Sequence, residues 1–301
     1  MRRRLEDSLR DVKKYDKMFD MRTRDNPRAG TRAGPRAAGT GGRSPRASGG
    51  AAARPEYVAG LAKGLAVIEA FGARHPRLTI SEAAGLAGLS RAAARRCLLT
   101  LERLGYAEYD GRYFRLAPRA LRLGHAYVLA TPLPRVVQPV LETLSERTHE
   151  SASAAILDGT DAVFIARSTT RRSLSAGIGV GTRLPAYCSA TGRMLLSNLP
   201  DASVKRLFRK LPPVKLTAKT ITGSAELLDE VRRTRLQGYA ISDEEVELGL
   251  RSIAVPVRNA LGEMVAAMSL SVQTSRMGRK EMVEQLLPAL ETSRRILSAM
   301  L

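Results

Sequence analysis

The 301-residue chain reads as an α+β protein with two folded parts, an N-terminal winged helix-turn-helix and a larger C-terminal α/β domain. Three observations predict this. A short helix, a turn, a capped helix and a hairpin signal follow one another between Thr79 and Leu116. Helical and strand patterns then alternate to the C-terminus, and the Pro-rich break Thr131-Pro132-Leu133-Pro134 separates the two regions.

Residues 1–55 come first and stand apart. They carry 15 Lys/Arg against 6 Asp/Glu, and from Asn26 to Pro55 they hold hardly an aliphatic side chain. Such a segment cannot bury enough apolar surface to offset its chain entropy. A disordered basic extension is expected, with a transient helix from Glu6 to Phe19, and it reads equally as a solvated tail or as an arm that touches DNA.

Order starts at Val58, where Leu61, Leu65, Ile68 and Phe71 recur at helical spacing on one face. Thr79-Ile80-Ser81-Glu82 opens a second helix running to Gly85 or Ala87, with Ser81 as its expected N-cap. Gly88-Leu89 makes the turn. Ser90 caps a third helix, Arg91 to Leu104, whose Ala94, Leu98, Leu101 and Leu104 are expected to face inward, and Gly105 closes it. Tyr106 to Tyr109, the turn Asp110-Gly111 and Arg112 to Leu116 form the hairpin. These elements define a winged helix-turn-helix over 56–117, followed by a linker helix within 118–131 that Pro118 introduces.

The domain over 132–301 begins with a helix from Arg135 to Thr148, then strands Ala152 to Leu157 and Asp161 to Arg167. A Gly-rich turn, Gly177 to Gly181, precedes helices Thr191 to Ser197, Asp201 to Lys210 and Ala225 to Leu236, the last closed by Gly238. Strands Tyr239 to Ser242, Leu250 to Val257 and Glu263 to Val272 and a final helix, Arg279 to Met300, complete a sheet surrounded by helices.

The chain's net charge of +20 favours polyanionic partners, nucleic acid before membrane. Two cysteines, Cys97 and Cys188, are too few and too far apart for a disulfide framework or a zinc site, which points to a reducing compartment, best the cytoplasm. The basic Met1-Arg2-Arg3-Arg4 is followed by no apolar stretch, and no window reaches the ~18 apolar residues of a membrane span.

Two constellations carry chemistry. The third helix would present Ser90, Arg91, Ala92, Ala93, Arg95 and Arg96 to a major groove, where Arg reaches guanine edges or phosphates and Ala permits close approach. Thr79 and Ser81, at the start of the second helix, are placed to hold phosphate, and Arg112 and Tyr113 on the wing to reach backbone or minor groove. The alternative is a solvated Arg-rich surface.

In the larger domain, Leu184 to Arg193 leads into a helix N-terminus, where Ala190, Thr191 and the backbone amides could cradle a carboxylate. Ser269 and Ser271 share one face of a strand, and Ser252 on its neighbour could join them; the plain alternative is a wet sheet face. Asp243-Glu244-Glu245-Val246-Glu247 could be a lid, a partner surface or a solvated loop. Catalytic signals are missing: no nucleophile elbow or phosphate-binding loop occurs, and His75, His125 and His149 lack metal spacing. Gly177 to Gly181 does not follow the dinucleotide pattern, and Cys188 has no histidine partner, so neither cofactor nor metal is expected.

From about Tyr57 to Met300 the chain resembles the IclR family of bacterial regulators. The resemblance is carried by Leu89-Ser90-Arg91-Ala92-Ala93-Ala94-Arg95-Arg96, by Tyr187-Cys188-Ser189-Ala190-Thr191-Gly192-Arg193-Met194-Leu195-Leu196 and by the segment Asp243 to Val257. Within the family it looks like the branch controlling the β-ketoadipate pathway, the PcaR, PcaU and PobR type, whose effectors are protocatechuate, 4-hydroxybenzoate or β-ketoadipate.

The resemblance implies a GAF-like effector domain and a dimer through the DNA-binding and linker regions, often paired into a tetramer. It implies binding to palindrome-like operator DNA, with RNA polymerase as a further partner. It places the effector at Leu184, Ala190, Thr191, Ser242, Asp243, Leu250, Ser252, Ser269 and Ser271. Ala190 replaces the family's usual glycine, and Ser252 and Ser242 stand where binders of small keto acids have cysteine and aspartate. These departures point away from glyoxylate-like ligands and toward an aromatic or dicarboxylic acid. The expected function is a ligand-responsive regulator of aromatic-acid catabolism. A regulator of another carbon-source pathway, an enzyme with a DNA-binding appendage and a nonspecific architectural DNA binder are the alternatives.

Overall fold

The computed structural model describes residues 57–72, 74–170 and 178–301, so the expected extension over 1–55 and Gly177 lie outside the described residues. The described chain divides between Ala120 and Leu121 into two compact units.

The smaller unit contains α1 (Ala59–Glu69), α2 (Ile80–Leu86), α3 (Arg91–Arg103), β1 (Ala107–Tyr109), β2 (Phe114–Leu116) and a 3-10 turn, Pro118–Ala120. Thr79, not Ser81, caps α2. Its hydroxyl receives the Glu82 amide at 3.3 Å, and the Glu82 carboxylate receives the Thr79 amide at 2.8 Å. This reciprocal arrangement satisfies two helix-end donors at once and leaves Ser81 inside the first turn, exposed. Ser90 caps α3 by accepting from the Ala93 amide, and Gly105, at φ +75°, turns the chain into the wing.

Val67, Leu78, Ala83, Leu98, Leu101, Ala107 and Phe114 form the core. One expected core assignment fails. Leu104 is 53% exposed because α3 ends at Arg103 and Leu104 already occupies the cap. Leu61 and Leu65 are exposed because only the end of α1, through Val67 and Ile68, packs into this core, with Phe71 just beyond it.

In the wing, Tyr109 pairs with Phe114 and their rings stack with centroids 4.3 Å apart. Leu78 and Phe114 exchange both backbone hydrogen bonds, at 2.9 and 2.8 Å, so the residues just before α2 lie along the wing as a third, one-bridge strand.

The larger unit contains α4 (Leu121–Ala130), α5 (Pro132–Thr148), β3 (Ser151–Asp158), β4 (Asp161–Ser168), β5 (Arg183–Pro185), α6 (Ala190–Ser197), α7 (Asp201–Lys210), α8 (Ser224–Gln237), β6 (Ala240–Asp243), β7 (Leu250–Arg258), β8 (Met264–Gln273) and α9 (Arg279–Met300). The linker helix α4 groups with this unit, since Thr131 alone separates it from α5. α5 starts at Pro132, ahead of the expected Arg135, because proline suits the first helical position.

The six-stranded sheet runs β5-β4-β3-β8-β7-β6 with every neighbour antiparallel. Alternation sorts its side chains between two helical layers. Ile253, Val255 and Val257 of β7 and Met268, Leu270 and Val272 of β8 pack with Val137, Leu141 and Leu144 of α5 and Leu286, Leu290 and Leu297 of α9. The opposite face presents Ala155, Ala254 and Ala267 to α6, α7 and α8, through Met194, Val204, Phe208, Leu227 and Val231.

Strand β3 pairs with β4 as Ala154↔Ala166 and then Ala155↔Phe164, leaving Ile165 as an extra residue. This bulge reverses the alternation, so Phe164 and Arg167, an odd number of positions apart, come to the same face of the sheet.

Candidate nucleic-acid interface and ligand cavity

On α3, Arg91, Ala92, Arg95 and Arg96 are exposed, and the three arginines enter no ion pair with any described residue. Ala93 departs from expectation: only 7% of it is accessible. It lies about 100° round the helix from Ala94, outside the stripe that Ala94, Leu98 and Leu101 define, yet its methyl is buried as well. Ser90 is exposed, but its hydroxyl already serves the cap. The Thr79 hydroxyl is likewise engaged, donating to Glu82 at 2.7 Å.

On the wing, the Asp110 carboxylate accepts the amides of Tyr113 and Arg112, at 2.7 and 2.9 Å, which holds it below the usual carboxylate range and fixes the turn. Gly111, at φ +97°, supplies the backbone conformation this turn requires. Arg112 is exposed and Tyr113 half-buried. The result is a cationic helix face and a braced wing tip on one small unit.

In the larger unit, a cleft enclosing about 450 Å³ of empty space, part of it open to solvent, lies between the alanine-and-serine face of the sheet and the start of α6. Leu184, Ala190, Thr191, Ser242, Leu250, Ser252, Ser269 and Ser271 all line it.

Asp243 does not. It pairs in register with Arg251, whose guanidinium meets it at 2.8 Å, and alternation along β6 turns it away from Ser242 and the cleft. Sequence reasoning also missed Phe164, Arg167, Ile178, Ser189 and Val246 in the lining. Ser189 lay within the quoted motif; Arg167 reaches the cleft only through the bulge, which no local pattern announces.

The floor is organised in rows across the sheet. Ser271 faces Ser252, which faces Ser242; one step along, Arg167 faces Ser153, which faces Ser269. Small side chains here leave the space that larger ones would fill. The hydroxyls of Thr191, Ser252, Ser269 and Ser271 donate to no described protein acceptor, so each is open to a ligand. The Arg167 guanidinium lies 5.8 Å from the centre of the Phe164 ring and donates to the Ser153 hydroxyl at 3.3 Å, which sets a cation beside an aromatic face.

The start of α6 is held rigidly. The Ser189 hydroxyl receives the Gly192 amide and donates to the Pro185 carbonyl at 2.8 Å, while the Ser242 hydroxyl donates to the Cys188 carbonyl at 2.6 Å. A Cβ on Gly192 would sit 2.2 Å from the Ala186 Cα, so glycine is required by the close approach of backbone. The acidic loop is fastened at its carboxylates, Asp243 to Arg251, Glu244 to Lys219 and Glu245 to Arg193, and Val246 forms part of the cavity wall. It is a pinned wall more than a loose lid. Cys188 is fully buried.

Among the described residues no helix is long and apolar enough to cross a membrane. The IclR helix-turn-helix domain pattern matches residues 60–111, and the bacterial transcriptional regulator IclR C-terminal pattern matches 125–299. The Pca regulon regulatory protein of Pseudomonas putida is 43% identical over 78% of this chain and 81% of its own length. The crystal structure of a Rhodococcus sp. RHA1 transcriptional regulator superposes with a TM-score of 0.70 at 43% identity, over 81% of this chain and 98% of that one. The inducer-binding domain of the Acinetobacter PobR transcription factor, a double mutant in complex with 3-hydroxybenzoic acid, superposes with a TM-score of 0.53 at 34% identity, over 56% of this chain and 98% of that one. An exposed cationic recognition helix, a braced wing and these matches across both units lead to one conclusion: the chain belongs to the IclR family of bacterial transcriptional regulators, DNA-binding proteins and not enzymes.

Proposed function

We propose that this regulator governs genes of aromatic-acid catabolism and that the cleft over the serine floor binds its effector, a small carboxylate. The observation that carries the reading is Arg167 beside Phe164: the bulge in β4 brings a guanidinium, an aromatic face and a row of uncommitted hydroxyls to one cavity. A hydroxylated aromatic acid needs that combination, a cation for its carboxylate, a ring surface for stacking and short polar side chains for its hydroxyl. The complex of the PobR inducer-binding domain with 3-hydroxybenzoic acid supports it. A dicarboxylic acid is the second reading, favoured by the cleft's other anion-attracting feature, the amides at the start of α6.

The partner on the other unit is operator DNA with a palindrome-like sequence, read in the cytoplasm by a dimer whose α3 helices enter successive major grooves. Exposed apolar side chains support self-association: Tyr57, Val58, Leu61 and Leu65 at α1, and Leu121, Leu123, Tyr127 and Leu129 on α4. Effector binding alters DNA affinity only if the ligand binds the DNA-competent and incompetent forms unequally.

Calorimetry on the full chain with 4-hydroxybenzoate, protocatechuate and β-ketoadipate tests the effector. At least one acid is expected to bind and to shift affinity for an operator duplex, and Arg167→Gln should raise its Kd by about 10- to 100-fold. No heat from any of the three, or binding that leaves operator affinity unchanged, rejects the reading.

A further inference from the structure

We infer that Arg77, which lies outside both the recognition helix and the hairpin, is a DNA-contacting residue that acts with Arg112 as a preformed two-cation grip on backbone phosphates, both guanidiniums lying over the Tyr113 ring. The backbone pairing places it there. Leu78 and Phe114 are buried and exchange two hydrogen bonds, so alternation sends their flanking side chains to the other face of this small sheet. Arg77 is then the diagonal neighbour of Tyr113, a separation that long and aromatic side chains span. Its guanidinium carbon lies 4.5 Å from the centre of the Tyr113 ring, and that of Arg112 lies 5.1 Å from the same centre.

Asp110 attracts Arg77 and Glu82 attracts Arg112 across space, but neither carboxylate closes an ion pair with these two cations. The described carboxylates nearby are engaged at close range elsewhere: Asp110 holds the amides of Arg112 and Tyr113, Glu108 is ion-paired with Arg115 at 2.6 Å, and Glu82 is closed onto Thr79. Arg77 and Arg112 form no ion pair or side-chain hydrogen bond with any described residue. Two like charges sharing one ring repel each other, and a polyanion relieves that repulsion. The cation–π contact holds each guanidinium near the ring, and with no side-chain hydrogen bond to a described residue their N–H groups remain for phosphate oxygens, so less rotamer freedom is lost on binding. The contact is sequence-independent and extends the footprint beyond the groove that α3 occupies.

The test is titration of the full chain with a 30-base-pair duplex of random sequence between 50 and 200 mM salt, read by fluorescence anisotropy. Arg77→Ala, and Arg77→Gln as a variant that keeps most of the stem, should weaken binding about three- to tenfold at low salt and reduce the slope of log K against log salt by about 1. Tyr113→Ala should weaken binding without removing a charge, whereas Tyr113→Phe should behave as the parent. Arg206→Ala on α7 serves as the control, and unchanged melting temperatures exclude unfolding. Parental affinity and slope in both Arg77 variants would overturn the proposal, and so would a loss confined to a selected operator with the random duplex unaffected, which would mean base reading.

Discussion

Arg193 and Glu245 form a two-pronged buried ion pair, Nη1 to Oε1 and Nη2 to Oε2 at 2.8 Å each, that ties α6 to the loop after β6. The same guanidinium donates to the carbonyls of Ile241 and Tyr187, so one side chain joins the start of α6, the β6 strand and the cavity wall. With Arg193 only 2% exposed, removing either partner strands a charge away from water. Arg193→Met is expected to destabilise the larger unit by about 3–5 kcal/mol, and adding Glu245→Gln should recover part of that loss. Urea unfolding midpoints check it. Equal losses in the single and double variants would show that packing, not the stranded carboxylate, sets the cost.

The reciprocal cap of α2 gives the DNA-binding unit a pH signature. Hydrogen bonds from the backbone amide and then the hydroxyl of Thr79 hold the Glu82 carboxyl below its ordinary value of 4.5. A carboxyl depressed in the folded state stabilises above its unfolded pKa and loses that contribution as pH falls through the folded value. Thr79→Ala should cost about 1 kcal/mol at neutral pH. The advantage of the parent over Glu82→Gln, full at pH 7, should fade below the ordinary value of 4.5 and vanish once Glu82 is protonated. Thermal melts of both proteins across that range measure it, and a constant difference would remove Glu82's charge from the account.

α4 is apolar on its surface yet nearly uncovered: only Val128 on it is even half-buried. Its leucines should therefore contribute to self-association. Leu61→Glu combined with Leu129→Glu is expected to shift the chain toward monomer, each buried leucine being worth about 1.5–3 kcal/mol. Sedimentation at micromolar concentration would show it, with operator affinity falling in parallel. An undisturbed dimer would place the interface elsewhere.

Much of this architecture was legible because local signals agreed with tertiary need. Ser90 and Gly105 bracket α3 with a cap and a left-handed turn, and Asp110-Gly111 marks the wing turn. Gly238 ends α8 for the same reason as Gly105. Ser269 and Ser271 announced one cavity face through period two and Ser252 joined them from the neighbouring strand, while Ser242 was supplied by the family resemblance. Thr79-Ile80-Ser81-Glu82 also contained its answer, since a threonine three residues before a glutamate is the stronger capping pattern.

What escaped depended on partners distant in sequence. Arg167 faces the cleft only because Ile165 bulges against β3. Arg77 meets Tyr113 through a single backbone bridge. Asp243, which the resemblance placed beside the effector, faces the other side of β6 from Ser242, since side chains alternate along a strand. Leu61 and Leu65 form an apolar stripe as periodicity indicated, but the chain's own core does not cover it.

A cavity paved with serine and alanine can be retuned cheaply. Because these floor residues carry side chains of one or two heavy atoms on a continuously paired sheet, exchanging one for threonine, cysteine or valine redraws the contour without disturbing a single ladder bond. Descendants of this fold can thus drift from one metabolite to another by point changes in the pavement, while α6 and its pinned wall keep their places.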